Sequence, residues 1–190
     1  GHALGARESD EAAAYAQSSF QMGIVFALAF GLLSVLFANQ MIAFFQLNSP
    51  HVIEDAKIYL IITCGLVIFS FMNQIFTGTL TAMGNSRTSL IANGVGLIIN
   101  IVLDPLFIFG FGFVPAFGVA GAAIATVLAQ AIVMLLFMYS IKNDTVLFCN
   151  IHILSKPHMK HMKEIFRIGL PSALQSMLFS SISMVIARLI

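Results

Sequence analysis

Apolar residues run along this chain in long blocks, interrupted at intervals by Gly, Pro, Asn and charged positions. Five apolar segments stand out. The first covers residues 10–37; Ser9 or Asp10 is placed to cap its start, and Glu11 lies near the positive end of the helix dipole. A short amphipathic tail over 39–47 follows, and Asn48-Ser49-Pro50 breaks the chain. The second segment, 52–82, stops at Gly84-Asn85, a pair suited to the left-handed conformation that ends helices. The third, 86–109, gives way to a turn containing Gly110, Gly112 and Pro115. The fourth covers 118–141. After a polar stretch over 142–163, the fifth starts near Met162 and is still apolar at Ile190. At about 1.5 Å of rise per residue, each segment is long enough to cross a hydrocarbon core of about 30 Å. The pattern predicts an all-α, polytopic transmembrane helical bundle.

Composition agrees with a lipid environment. Hydrophobic residues make up 59% of the 190 positions and charged residues only 9%, against about 25% charged in soluble domains. Between Lys57 and Lys142 only Arg87 and Asp104 are charged. A water-facing surface needs more polarity than that, whereas a bilayer demands little. The net charge of +1, with no basic run interleaved with aromatics, gives no reason to expect nucleic acid as a partner. The chain opens without Met and ends inside an apolar run, which reads as a piece of a longer protein.

The cationic residues set an orientation. Arg7, Arg87, Lys142, Lys156, Lys160, Lys163 and Arg167 flank one set of segment ends, and the opposite ends hold only Lys57. The positive-inside rule puts the first set in the cytoplasm, so the third segment runs outward. Asn143-Asp144-Thr145 matches a glycosylation sequon, but on the cytoplasmic side that chemistry does not occur. His158 and His161 lack a Cys or carboxylate at ligand spacing and read as part of a basic juxtamembrane helix. Cys64 reads as a small buried hydrophobe, far in sequence from Cys149, which falls on the reducing side.

Asp104 is the sharpest feature. It is the only acid between Asp55 and Asp144, and it sits inside an apolar segment, in the outer half of the membrane. A carboxylate there is costly unless paired, cation-bound or protonated, which marks it as a functional candidate. Asn100 lies one helical turn before it and Asn93 two turns before Asn100, forming one polar stripe. Pro105 removes a backbone donor and frees the Ile101 carbonyl. The second segment carries its own stripe of Ser70, Asn73, Gln74, Thr77 and Thr81, which faces the bundle or a cavity, or acts as interhelical glue. In the fourth segment Gly118, Gly121, Ala125 and Ala129 form a close-packing seam, with Thr126 beside it in reach of an ion. The fifth offers Ser172, Gln175, Ser176, Ser180 and Ser183 after Pro171. No phosphate-binding loop, nucleophile–base set or metal-ligand cluster is visible, so no enzymatic activity and no cofactor are expected. An energy source would be an ion gradient.

Several stretches together resemble one family. Gly1-His2-Ala3-Leu4-Gly5-Ala6 is similar to the loop between the second and third helices of the multidrug and toxic compound extrusion (MATE) transporters. Met83-Gly84-Asn85-Ser86-Arg87-Thr88, Asn100-Ile101-Val102-Leu103-Asp104-Pro105 and the stretch from Gly118 to Thr126 resemble later parts of that family in the right order. Ile168-Gly169-Leu170-Pro171 looks like the start of its seventh helix. The resemblance implies that residues 1–141 hold the third to sixth helices of a twelve-helix transporter, 142–161 the cytoplasmic loop between lobes, and 162–190 the start of the seventh helix. It implies a cation site on Asn100, Asp104, Thr126 and Asn73, with Gln74, Thr77, Asn93, Gln175 and Ser176 as candidates for the substrate cavity. Some members carry a Glu two turns after the seventh-helix Pro; here that place is Phe179, so a second cation site of that kind is not expected. The implied activity is proton- or sodium-coupled export of amphipathic organic cations across the cytoplasmic membrane. A lipid-linked saccharide flippase of the same superfamily, which would need several cavity cations, and a non-transporting membrane scaffold are the alternatives.

Overall fold

The computed structural model describes residues 9–45, 49–111, 115–142 and 159–189. The described residues form α1 (Ser9–Leu36), α2 (Ala38–Ala43), α3 (Pro50–Gly65), α4 (Ile68–Ala82), α5 (Ser86–Phe109), α6 (Val119–Ile141) and α7 (Met159–Leu189). Local chemistry explains most of the boundaries. Ser49 is extended and Pro50 follows as the first helical residue of α3, where a missing N–H costs nothing. Gly84, at φ 83°, ends α4 in a conformation that side chains resist. Asn85 then caps α5: its Oδ1 accepts from the Thr88 backbone N–H at 3.3 Å and from the Thr88 hydroxyl at 2.8 Å.

The second apolar segment, expected as one helix over 52–82, is two. The axes of α3 and α4 differ by 47° across Leu66 and Val67. At the break Val67 N–H donates to the Cys64 carbonyl at 3.3 Å and Phe69 N–H to the Leu66 carbonyl at 3.4 Å, reaching back three residues instead of four. Gly65, the last residue of α3, permits the bend, and a tertiary contact adjoins it. Gly31 of α1 lies so close that a Cβ there would sit 2.8 Å from the Cys64 carbonyl oxygen. The end of α3 thus packs backbone to backbone on α1. Cys64 itself is half-buried, not buried as expected, and its thiol is free.

Helix α6 stands at the centre, packed against α3, α4 and most extensively α5. Its small residues Gly121, Ala125 and Ala129 are buried, as the seam predicts. A Cβ on Gly121 would collide with the Phe107 carbonyl of α5. Gly118 does not join the seam; it is exposed and makes the turn into α6 at φ 57°. Phe117 and Gly118 N–H groups donate to the Phe107 and Ile108 carbonyls at 2.9 and 3.2 Å. The last carbonyls of α5, which have no intrahelical donor, are satisfied by the chain that starts α6. Below this joint Phe137 stacks on Phe76 at 5.6 Å, and Phe20 meets Phe76 edge-on at 4.9 Å. This cluster closes the bundle towards the α4–α5 turn.

Four helices, α1, α5, α6 and α7, are long and apolar enough to cross a membrane, and the bent α3–α4 pair makes a fifth span. The chain is a multi-pass membrane protein. Helix α5 continues through Pro105 without a break. Helix α7 begins at Met159, so the loop expected over 142–161 ends earlier than its sequence suggests. The sequon at Asn143, Cys149, His158 and the Gly1–Ala6 motif lie outside the described residues. Near its start α7 meets α1, where the Tyr15 hydroxyl donates to Glu164 Oε2 at 2.5 Å and the Tyr15 ring contacts His161 edge-on at 4.5 Å. Beyond that start its side chains are exposed through Ile186.

Candidate functional site

The polar stripe of α4 points at α5 and α6. Ser70, Asn73 and Thr77 fall at helical spacings that share one face, and each finds a partner across a helix boundary. The Ser70 hydroxyl donates to Gln130 Oε1 at 2.6 Å. Asn73 is only 8% exposed, and its Nδ2 donates to the Gln130 backbone carbonyl at 2.9 Å. Its Oδ1 is buried with no hydrogen-bond partner among the described residues. Thr77 Oγ1 accepts from Asn93 Nδ2 at 3.1 Å, and the same nitrogen reaches the Ser89 carbonyl at 2.9 Å. Thr81, the last residue of the expected stripe, is exposed.

On α5 the Asn100 amide donates to Asp104 Oδ1 at 3.3 Å. On α6 the Thr126 hydroxyl donates back to the Ala122 carbonyl at 2.9 Å, which leaves its oxygen able to accept. Between α4, α5 and α6 lies an open cavity of about 430 Å³. Ser70, Asn73 and Gln74 line it from α4, Asn93 and Asn100 from α5, and Thr126 and Gln130 from α6; Gly96, Leu97, Ala129 and Val133 complete the wall. Its size falls within the range of small-molecule sites, about 300–1,000 Å³. The polar groups are amides and hydroxyls, with one carboxylate a turn beyond Asn100. Oxygen donors of that kind suit a proton or a hard monovalent cation, and among the described residues no three His, Cys, Asp or Glu side chains come together as a metal group.

Five of the residues singled out from sequence, Asn73, Gln74, Asn93, Asn100 and Thr126, therefore converge on one cavity. Asp104 does not line it; the half-buried carboxylate is joined to it through Asn100. Thr77 is set back from the wall and holds Asn93. Gln175 and Ser176 do not join this cavity: both are exposed on α7, whose contacts here are with α1. Gln130 was missed. It sits one turn after Thr126 and is the only other polar side chain from Val119 to Met138, a signal visible in the sequence.

The comparisons with known proteins point one way. The MatE family model matches residues 1–106, more than half of the chain. Multidrug export protein MepA of Staphylococcus aureus (strain NCTC 8325 / PS 47) is 29% identical over 186 residues, covering 96% of this chain and 40% of that protein. Probable multidrug resistance protein NorM of Thermotoga maritima is 38% identical over 131 residues, 67% of this chain and 27% of that protein. A multidrug resistance MATE family transporter of the MOP superfamily, solved inward-facing, superposes with a TM-score of 0.81 at 26% identity, over 91% of this chain and 38% of that one. A MATE structure in complex with Br-NRF gives 0.76 at 27% identity, over 96% and 40%. The chain spans about 40% of the length of MepA. With a family model covering more than half its residues and its helices superposing on solved members, this chain belongs to the MatE family.

Proposed function

We propose that this chain provides the cation-coupling cavity of an antiporter that exports amphipathic organic cations across the cytoplasmic membrane in exchange for protons or sodium. The observation that carries the reading is the cavity of about 430 Å³ whose polar wall connects, through Asn100, to the only carboxylate of α5. The printed names of its relatives, multidrug export and resistance proteins, support the substrate class.

Asn100 is the connecting residue. Its amide both lines the cavity and donates to Asp104 over a long 3.3 Å bond. A cation at Asp104 competes with that bond, since a charged partner outbids a neutral amide for a carboxylate. Once released, the Asn100 amide turns into the cavity and alters the wall that a drug would touch. Occupation by the cation and occupation by the drug are then linked through one side chain, which is the coupling an antiporter requires. The two lobes would exchange access by moving against each other around this site.

The test is drug efflux from cells carrying the full-length transporter that contains these residues, as wild type and as Asp104→Asn at matched membrane abundance, with pH and sodium varied separately. The expected result is at least a tenfold loss of efflux in the variant, on the order of the effect of removing one charge-assisted partner, and a wild-type response to one gradient only. Normal export by Asp104→Asn would make Asp104 structural and move coupling elsewhere.

A further inference from the structure

Two hydrogen bonds from α4, three residues apart, converge on a single residue of α6. Ser70 gives its hydroxyl proton to the side-chain oxygen of Gln130, and Asn73 gives its amide to the Gln130 carbonyl. With Oε1 held by Ser70, the Gln130 amide has its NH2 end left for the cavity it lines. The same contact fixes Asn73. Its Nδ2 is engaged, so its Oδ1 is turned to a side where no protein donor meets it. A buried acceptor left without a partner is costly, and the clamp at Gln130 is what holds it in place. Ser70, Asn73 and Gln130 all border the cavity, so this joint sets how far α4 stands from α6 at the depth of Thr126 and Asn100.

We propose that Gln130 is a positioning residue for substrate recognition: it fastens α4 to α6 and so determines the spacing and the donor–acceptor pattern of the cavity wall. The proposal rests on the transport reading above and adds a residue to it. Gln130→Met is the informative variant, because Met keeps the length and flexibility of Gln but offers Ser70 only a weak sulfur acceptor in place of the amide oxygen. Ser70→Ala removes the same bond from the other side while leaving Gln130 in the wall.

The experiment is ethidium efflux by the full-length transporter in cells, with apparent KM and maximal rate determined separately at matched membrane abundance, for wild type, Gln130→Met, Ser70→Ala and the double variant. The expected result is a rise in apparent KM of about 3- to 10-fold in each single variant, the range of one neutral hydrogen bond. The maximal rate should change little, and the double variant should be no worse than Gln130→Met alone, since both remove one bond. A merely structural residue would lower abundance and maximal rate and leave KM alone. Unchanged KM in Gln130→Met, or additive losses in the double variant, overturns the proposal while the transport reading stands. No efflux from the wild type removes the transport reading and this proposal with it.

Discussion

Asn73 and Thr77 lie one turn apart on the same face of α4, yet their surroundings assign them different weights. Asn73 is buried, joined to α6 and left with an oxygen that has no partner among the described residues, whereas Thr77 accepts from α5 alone, its hydroxyl from Asn93 and its carbonyl from Ser89. An interhelical hydrogen bond inside a membrane contributes about 0.6 kcal/mol on average. Thr77→Val should therefore keep at least half of the wild-type efflux. Asn73→Val takes away the donor to the Gln130 carbonyl and one polar wall of the cavity; efflux at matched abundance should fall by about tenfold or more. Equal behaviour of the two variants in an efflux assay would contradict the division drawn between wall and support. Most of the site residues could be read from the sequence, because Asn93, Asn100 and Asp104 repeat at helical spacing inside an apolar segment where polar groups are rare. Gln130 escaped because its partners, Ser70 and Asn73, are distant in sequence, and a lone Gln among apolar residues declares no partner. Gln175 and Ser176 show the converse: their spacing marks a polar face, but which neighbour meets that face is decided by other helices.

At the level of elements, helix packing here depends on positions without side chains. Gly31 against the Cys64 carbonyl is the clearest case, with 2.8 Å available for a Cβ. Gly31→Leu should push α1 from the α3–α4 break and destabilise the protein by about 1–3 kcal/mol, the usual cost of overpacking. The measurement is the fraction remaining folded in detergent after heating, compared with wild type; an unchanged thermal profile would mean that α1 does not hold the break. The spans themselves were legible, since long apolar blocks bounded by Gly, Pro and Asn leave few alternatives. The break at Leu66–Val67 was not. Both residues are apolar and neither is a helix breaker; the local mark is Gly65 just before them, a weak helix former that permits a bend without demanding one, and the contact with α1 selects it.

The molecule as a whole is unevenly covered. Helix α6 is buried among its neighbours, whereas α7 exposes its described side chains almost throughout, and the outer faces of α1 and α5 present large hydrophobic residues such as Leu28, Leu32, Ile98 and Ile101. Lipid suits those faces, but the polar wall of the cavity needs protein or water opposite it. Taken with a length of about 40% of MepA, this gives a direct expectation: residues 1–190 expressed alone should insert in the membrane and confer no measurable drug efflux. Uptake of ethidium into inverted vesicles containing only these residues would refute it.

The bend between α3 and α4 has a mechanical consequence. A straight helix resists flexing because every bend must stretch its ladder of bonds. At Leu66–Val67 that ladder has already shifted to three-residue steps. The end of α3 is seated on α1 at Gly31, and α4 is fastened to α6 at Gln130. The span is therefore an articulated pair of short rods with a soft pivot at mid-depth. Both rods also lean on α6, so a change of angle at the joint must slide one of them along that central helix.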